Sequence, residues 1–402
     1  MGLMCCRNTE NNIISQNEHN IINYNFLNSK QMTIKHMINS NNKVECYTTF
    51  NHNQINYIAF PSIDSNFENN DYDEKVFIYN LDNGKFVTKL YENDINKYQE
   101  FLRSNKRISI LKSFRENNTK NTKKTYSNNS NNNSDKNQSS DNDKVILISY
   151  HEDKEFKLWS FVTNDLNLEI QTNLVLKFRL SNIYLVGFDI CNGLIITFGG
   201  DMINIIDPYN PDIIISNIVD KSKTFNLLCS IIFNDILFLI SSHYNNIMIW
   251  DPFQTDKQLI YSIDTGSENI TCLLPIEFNN ELIIALGSKV FIGQSDNIKI
   301  CFPFVKRLSN KKTSFKIKTI GRHIDGVVCM SYIILAAKQI ILVTGGYDSQ
   351  INIWDPFAKI KNSLFTLAVN CRINFIFAYT LDDLFFIVNG TEDKKVMVWG
   401  EN

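Results

Sequence analysis

The chain has 402 residues, of which 44% are hydrophobic and 12% aromatic, enough to bury a substantial core in one large or two ordinary domains. A formal net charge of −2 removes any global attraction to nucleic acid, and no nucleic-acid partner is expected. The nine cysteines include no Cys-x-x-Cys pair and no Cys/His spacing suited to zinc, so no metal or other cofactor is expected.

Six of those cysteines (Cys46, Cys191, Cys229, Cys272, Cys329 and Cys371) lie in or beside apolar segments, where a reduced thiol packs as a small hydrophobe. The other notable pair opens the chain, in "MGLMCCRNTE". Removal of Met1 would expose Gly2, the obligatory acceptor for N-myristoylation, although Cys6 stands where that pattern prefers Ser or Thr. Cys5 and Cys6 follow at once, placed for S-palmitoylation of a chain already brought to a bilayer. One acyl chain binds membranes marginally and two bind stably. The stretch therefore resembles a dual acylation signal. Residues 1–30 are expected to be a flexible tether that holds the protein at the cytoplasmic face of a membrane, with the cytosol as the alternative location.

Next comes "QMTIKHMIN" (31–39), which alternates apolar with polar residues as a half-buried strand does. A recurring phrase follows: an apolar strand, a short polar turn, and a second strand closing on an aromatic residue. It is faint in "DYDEKVFIYNLDNG" (71–84) and clear in "SYHEDKEFKLWSF" (149–161). Between these two, residues 116–143 contain a single aromatic and no aliphatic residue, and are expected to be disordered because they cannot bury enough to offset their ordering cost. The phrase returns in "TFGGDMINIIDPY" (197–209), "SSHYNNIMIWDPF" (241–253), a degenerate "IALGSKVFIGQSDN" (284–297), "TGGYDSQINIWDPF" (344–357) and "NGTEDKKVMVWGEN" (389–402). The apolar run 327–343 is interrupted by Lys338-Gln339 and reads as two buried strands in place of a membrane helix.

The strand-closing positions fall at 79, 159, 206, 250, about 292, 354 and 399, close to a period of ~40–45 residues wherever no insertion intervenes. From about residue 31 to the C-terminus the chain is thus similar to WD40-repeat proteins. The resemblance implies an all-β, seven-bladed WD40-type β-propeller over 31–402, closed by an N-terminal strand, with the disordered insertion 116–143 projecting from the face opposite the His- and Asp-bearing turns. It also implies a hydrogen-bonded tetrad of His323, Thr344, Asp348 and Trp354, with partial versions in Ser149, Asp153 and Trp159 and in Asp393 and Trp399. The family role of this cluster is structural, and no nucleophile motif accompanies it. In the fourth unit Tyr244 stands where the carboxylate is expected.

A second insertion, 304–323, carries Lys306, Arg307, Lys311, Lys312, Lys316, Lys318 and Arg322, and is expected to join units five and six at the His-bearing face. Near an anionic bilayer each such cation adds about 1 kcal/mol, which makes the insertion a candidate lipid contact. Taken together, these features point to a non-catalytic scaffold that presents its propeller to protein partners and takes no small-molecule substrate. The alternatives are an anionic-lipid or phosphoinositide-binding propeller and a soluble adaptor such as a ubiquitin-ligase substrate receptor. The first usually carries paired arginines, whereas "KFRL" (177–180) has one; the second often carries Trp-Asp-x-Arg, whereas both Trp-Asp pairs here continue with Pro-Phe. The anchor has a direct check: in native cells the wild-type chain is expected in the membrane fraction and Gly2→Ala in the soluble one. Equal solubility of both would remove the lipid tether.

Overall fold

A computed structural model describes residues 32–401, apart from 41–42, 45, 53, 64–73, 91–107, 117–143, 152–153, 165–168, 181–184, 268, 290–296, 306–313, 336–338 and 360. The described residues form twenty-eight strands and no helix, arranged as seven four-stranded antiparallel sheets. β1 (Met32–Asn39) stands apart in sequence. Sheet one comprises β2 (Thr48–His52), β3 (Ile55–Ile63), β4 (Glu74–Asn80) and β5 (Phe86–Leu90). Sheet two comprises β6 (Ile108–Glu116), β7 (Lys144–His151), β8 (Glu155–Asn164) and β9 (Glu169–Arg179). Sheet three comprises β10 (Gly187–Cys191), β11 (Leu194–Gly199), β12 (Met202–Ile206) and β13 (Ile214–Val219). Sheet four comprises β14 (Leu227–Phe233), β15 (Ile236–His243), β16 (Asn246–Trp250) and β17 (Leu259–Asp264). Sheet five comprises β18 (Ile270–Phe278), β19 (Glu281–Ser288), β20 (Ile298–Val305) and β21 (Ser314–Gly321). Sheet six comprises β22 (Val327–Leu335), β23 (Gln339–Gly346), β24 (Gln350–Trp354) and β25 (Phe365–Ala368). Sheet seven comprises β26 (Ile373–Leu381), β27 (Leu384–Thr391) and β28 (Lys395–Glu401), with β1 as its outer strand.

Why the sheets form a ring follows from their second and third strands, which are apolar on both faces. In β7, Ile146 and Ile148 pack with Phe188 and Ile195 of sheet three, whereas Val145 and Leu147 pack with Tyr57 and Ile78 of sheet one. A strand buried on both sides loses the alternation of a solvent-facing strand and reads as a continuous run, here "KVILISY". Each sheet therefore needs two neighbours. The core is accordingly divided among seven layers, one between each pair of adjacent sheets, including a layer between sheets seven and one.

The last layer is closed by β1, which pairs antiparallel with β28 from Met32↔Glu401 to Asn39↔Lys395. Ile38 fills the layer against sheet one, and Met32 fills the layer against sheet six. Polar contacts fasten the same seam: His36 Nε2 lies 3.0 Å from the Asp82 carbonyl, and the Tyr47 hydroxyl donates to the Ile376 carbonyl at 2.9 Å. The antiparallel order puts the turns between second and third strands, together with the connections between sheets, at one end of the ring. The other end carries the remaining turns.

Two expectations from the repeat spacing change. The third strand of unit five is β20, where Cys301 opposes Ile284 as Trp354 opposes Leu342, so the closing position is 301 and not about 292. The degenerate copy misled because its third strand lacks an aromatic closing residue. The 304–323 insertion is also not a connection between sheets. Val305 pairs with Ser314, so 314–321 is the outer strand of sheet five, and the residues between them join two strands of one sheet at the end away from His323. Charge had made a strand look like a loop. The run 327–343 contains β22 and the start of β23, and no helix among the described residues is long and apolar enough to cross a membrane.

Removing residues 32–39 would expose the edge of β28 and uncover Met32 and Ile38 positions in two layers. A truncated chain is expected to lose at least about 4 kcal/mol in urea denaturation or to precipitate. A synthetic peptide spanning 31–40 should restore part of that loss when added in trans.

Candidate functional site

The interstrand register locates the tetrad positions in every sheet. The residue opposite the closing position is Ile58, Leu147, Ile195, Leu239, Ile284, Leu342 and Ile387 in turn. Two residues later stands the position for the hydroxyl: Phe60, Ser149, Thr197, Ser241, Leu286, Thr344 and Asn389. Sheets one and five thus carry an apolar residue there, and no tetrad can form in them.

Sheet six assembles all four groups. Trp354 Nε1–H donates to Thr344 Oγ1 at 2.8 Å, and Thr344 Oγ1 lies 2.7 Å from His323 Nε2. His323 Nδ1 lies 2.9 Å from Asp348 Oδ1, while Asp348 Oδ2 accepts the Ile324 backbone N–H at 3.0 Å. A neutral imidazole satisfies the chain without a gap: Nδ1–H donates to the carboxylate, and Nε2 accepts the threonine O–H. Two glycines clear the space. A Cβ on Gly346 would sit 2.2 Å from His323 Nδ1, and one on Gly321 would sit 2.2 Å from the Trp354 ring.

Burial works to raise the Asp348 carboxyl, but the His323 hydrogen bond, with the Ile324 and Gln350 backbone N–H groups, outweighs it and holds the group below its ordinary value. A lowered folded value means that this contribution to stability is present above the unfolded carboxyl value and is lost as pH falls through the folded one. The cluster has the connectivity of a catalytic triad, yet Thr344 is fully buried and its oxygen already accepts the indole N–H. No substrate can reach such a hydroxyl. It pins a turn.

Other sheets hold fragments. In sheet two, Trp159 Nε1–H donates to Ser149 Oγ at 3.2 Å and Ser149 Oγ lies 3.0 Å from His151 Nε2, a histidine two residues on; Asp153 lies outside the described residues. In sheet seven, Trp399 donates to Asn389 Oδ1 at 2.6 Å, and Asp393 instead accepts from Thr391 and Lys395. In sheet four, Trp250 donates to Ser241 at 2.8 Å, but the turn is one residue shorter, since Ser241 opposes Met248 where Thr344 opposes Asn352. Tyr244 is therefore part of a tight two-residue turn and is 67% exposed, and no residue occupies the carboxylate position.

The pinned turn of sheet six carries Tyr347 onto the surface, where a chain of charged groups meets it. The Arg372 guanidinium, from the connection between sheets six and seven, lies 4.6 Å from the Tyr347 ring centre, and Lys289 Nζ lies 6.0 Å from it. Arg372 pairs with Glu392 at 3.2 Å, and Lys43 pairs with the same carboxylate oxygen at 3.4 Å. Backbone bonds support the arc: Tyr347 N–H donates to Gly326 O at 3.1 Å, and Glu392 N–H donates to Arg372 O at 3.0 Å. Ile324, 70% exposed, follows His323 in the same region. The result is an aromatic, cationic and aliphatic surface spanning sheets five, six and seven and the connection to sheet one. Of this turn the sequence marked Asp348, but nothing in it linked Lys43, Lys289, Arg372 or Glu392 to Tyr347. They come from four separate connections, and no local motif joins them.

The remaining candidate residues are scattered. Gly2, Cys5, Cys6, Lys306, Arg307, Lys311 and Lys312 lie outside the described residues. Lys316 and Lys318 sit on β21, where Lys318 donates to the Pro356 and Ala358 carbonyls at 3.1 and 2.8 Å. In "KFRL", Lys177 and Arg179 approach the buried Glu155 carboxylate at 3.4 and 3.5 Å. Among the described residues, no group of three or more His, Cys, Asp or Glu side chains is placed to hold a metal ion.

The fold defines a seven-bladed β-propeller, and the tetrad turn of sheet six is consistent with the WD40 type. No family model matches the sequence, and no curated protein matches it. Among solved structures, the crystal structure of Chaetomium thermophilum Raptor is similar, with a TM-score of 0.59 at 11% identity; the match covers 93% of this chain and 29% of that one. This chain thus spans less than a third of the length of that neighbour, and the likeness is one of fold.

Thr344→Val tests the tetrad. It leaves the buried Trp354 N–H without its partner and His323 Nε2 with only Asn352 Nδ2 at 3.5 Å, and is expected to cost roughly 2–5 kcal/mol in urea denaturation. Thr197→Val, at the equivalent position of sheet three, where Ile206 stands in place of the tryptophan, should cost less than about 1 kcal/mol.

Proposed function

We propose that this protein is a non-catalytic interaction scaffold whose tetrad-bearing face receives a partner protein. The observation that carries the reading is the arc Lys289–Tyr347–Arg372–Glu392–Lys43, with Ile324 in the same region. Tyrosine and arginine are the side chains that supply most binding energy at protein interfaces, because each combines a large contact area with fixed polar groups. Here Tyr347 stands on a turn held by buried hydrogen bonds and the Arg372 guanidinium lies over its ring, so little ordering of the turn remains to be done on binding. The fold adds a second support. A closed ring whose core lies between the sheets leaves its turns free to vary in sequence without loss of the fold.

The tether completes the proposal. Acylation at Gly2 with palmitoylation at Cys5 or Cys6 would hold the scaffold at the cytoplasmic face of a membrane and concentrate its partners there. Lipid contact by Lys306, Arg307, Lys311, Lys312, Lys316 and Lys318 would belong to the end of the ring opposite the arc, because β20 and β21 are joined there. That arrangement leaves the arc open to the cytosol while the chain is anchored.

Proximity labelling with the full chain in its native cells checks the interface. Tyr347→Ala is expected to lose a distinct subset of labelled neighbours without a shift in melting temperature, whereas Ile334→Ala at the other end should keep them all. Identical neighbour sets for wild type and Tyr347→Ala would move the interface elsewhere.

A further inference from the structure

Glu392 is the carboxylate on which two cations of the arc converge. Its Oε1 atom lies 3.2 Å from Arg372 Nη1 and 3.4 Å from Lys43 Nζ, so one oxygen is shared between two positive groups. The three side chains keep 37%, 48% and 40% of their surface in water, and pairs this exposed are weak. The backbone bond from Glu392 N–H to Arg372 O holds the two residues adjacent whatever the carboxylate does. Arg372 is oriented independently, by the Tyr347 ring beneath it. Of the other described acids nearby, Asp393 is engaged by Thr391 and Lys395 within its own turn and Asp348 by His323 and the Ile324 N–H, while Asp325 is exposed beside Ile324.

These features describe a site for an oxyanion with a weak internal occupant. We propose that Arg372 and Lys43 bind a carboxylate of an acidic segment in the partner protein, and that Glu392 holds the place until that carboxylate displaces it. The proposal rests on the tetrad-bearing face being the interface. A protein segment fits better than a small anion because the cations are spread over several connections, with Lys289 on the far side of Tyr347 and exposed Ile324 supplying apolar contact in the same region. Displacement returns the Glu392 carboxylate to water and replaces one exposed pair with another, so the exchange itself is nearly balanced. Net gain comes from the further carboxylates that reach Lys289 and from contact with Tyr347 and Ile324. Glu392 then acts as a threshold, since a partner with few acids gains too little to replace it.

The test uses the full chain and a fluorescein-labelled polyglutamate peptide, read by fluorescence anisotropy at about 0.05 M and about 0.15 M salt, with polylysine as the charge control. Wild type is expected to bind polyglutamate and not polylysine, more weakly at the higher salt. Arg372→Ala should weaken binding roughly fivefold, and Glu392→Gln should tighten it by a similar factor. Lys257→Ala, in the turn between β16 and β17 at the other end of the ring, should change nothing. Melting curves that overlay wild type establish that each variant is folded. No tightening in Glu392→Gln, or no loss in Arg372→Ala, would overturn the proposal. Binding of a phosphoserine peptide in the absence of polyglutamate binding would overturn the carboxylate assignment. If polyglutamate fails while Tyr347→Ala still loses cellular neighbours, the interface stands and the acidic partner falls. If polyglutamate behaves as expected while Tyr347→Ala loses none, the anion site stands and the cellular interface lies elsewhere.

Discussion

Burial of the second and third strands on both faces is the constraint from which the rest of the structure follows. A sheet with two apolar faces cannot end an assembly; each face needs a neighbour, and a finite set of such sheets has no free face only when it closes on itself. The seven inter-sheet layers satisfy this requirement, and the layer between sheets seven and one is completed by a strand from the opposite end of the chain. Chain order and spatial order disagree at that one seam. The disagreement ties the first described residues to the last.

Because the layers carry the stability, individual turns tolerate wide variation. Sheet six has a complete hydrogen-bonded tetrad, sheets two, four and seven keep the indole bond alone or with one further group, and sheets one and five place Phe60 and Leu286 where a hydroxyl would stand. A buried polar network stabilises only when every member is satisfied. Replacing the whole network with apolar side chains is therefore an equally workable solution, as the Phe60–Tyr79 stack in sheet one illustrates, with ring centres 5.3 Å apart. Where the tetrad is complete, its product is a rigid turn. That rigidity is what makes Tyr347 a defined surface feature, with Arg372 laid across it.

Both ends of the ring are tied across sheets, by different groups. At the tetrad-bearing end, groups from several connections are linked into one surface by backbone bonds, a stacked guanidinium and shared ion pairs. At the other end, the turn Asp355-Pro356-Phe357 is closed by a bond from the Phe357 N–H to the Asp355 side chain and is tied to the preceding sheet by Phe357 against Phe278 and by Lys318, which donates to the Pro356 and Ala358 carbonyls. A surface assembled from separate connections suits recognition, because its parts can be altered one at a time.

The sequence by itself determined the class of fold, the number of units and the strand that closes the ring. Those properties reside in periodicity, and periodicity is written along the chain: alternation in 31–39, continuous apolar runs in second strands, and a Trp-closing phrase repeated through Trp159, Trp250, Trp354 and Trp399. The groups of the sheet-six tetrad were legible for the same reason, as His323, Thr344, Asp348 and Trp354 stand at family spacing. Where the period lost its aromatic marker, at Cys301, the reading slipped, and a charged outer strand, 314–321, passed for a loop because lysine on a strand edge and lysine in a loop look alike in one dimension. Only the tertiary structure decided which ends of the strands share a face and which side chains meet across it. Lys43, Lys289, Arg372 and Glu392 carry no mutual spacing, and they are neighbours of Tyr347 solely because ring closure brings the connections of successive sheets to one end.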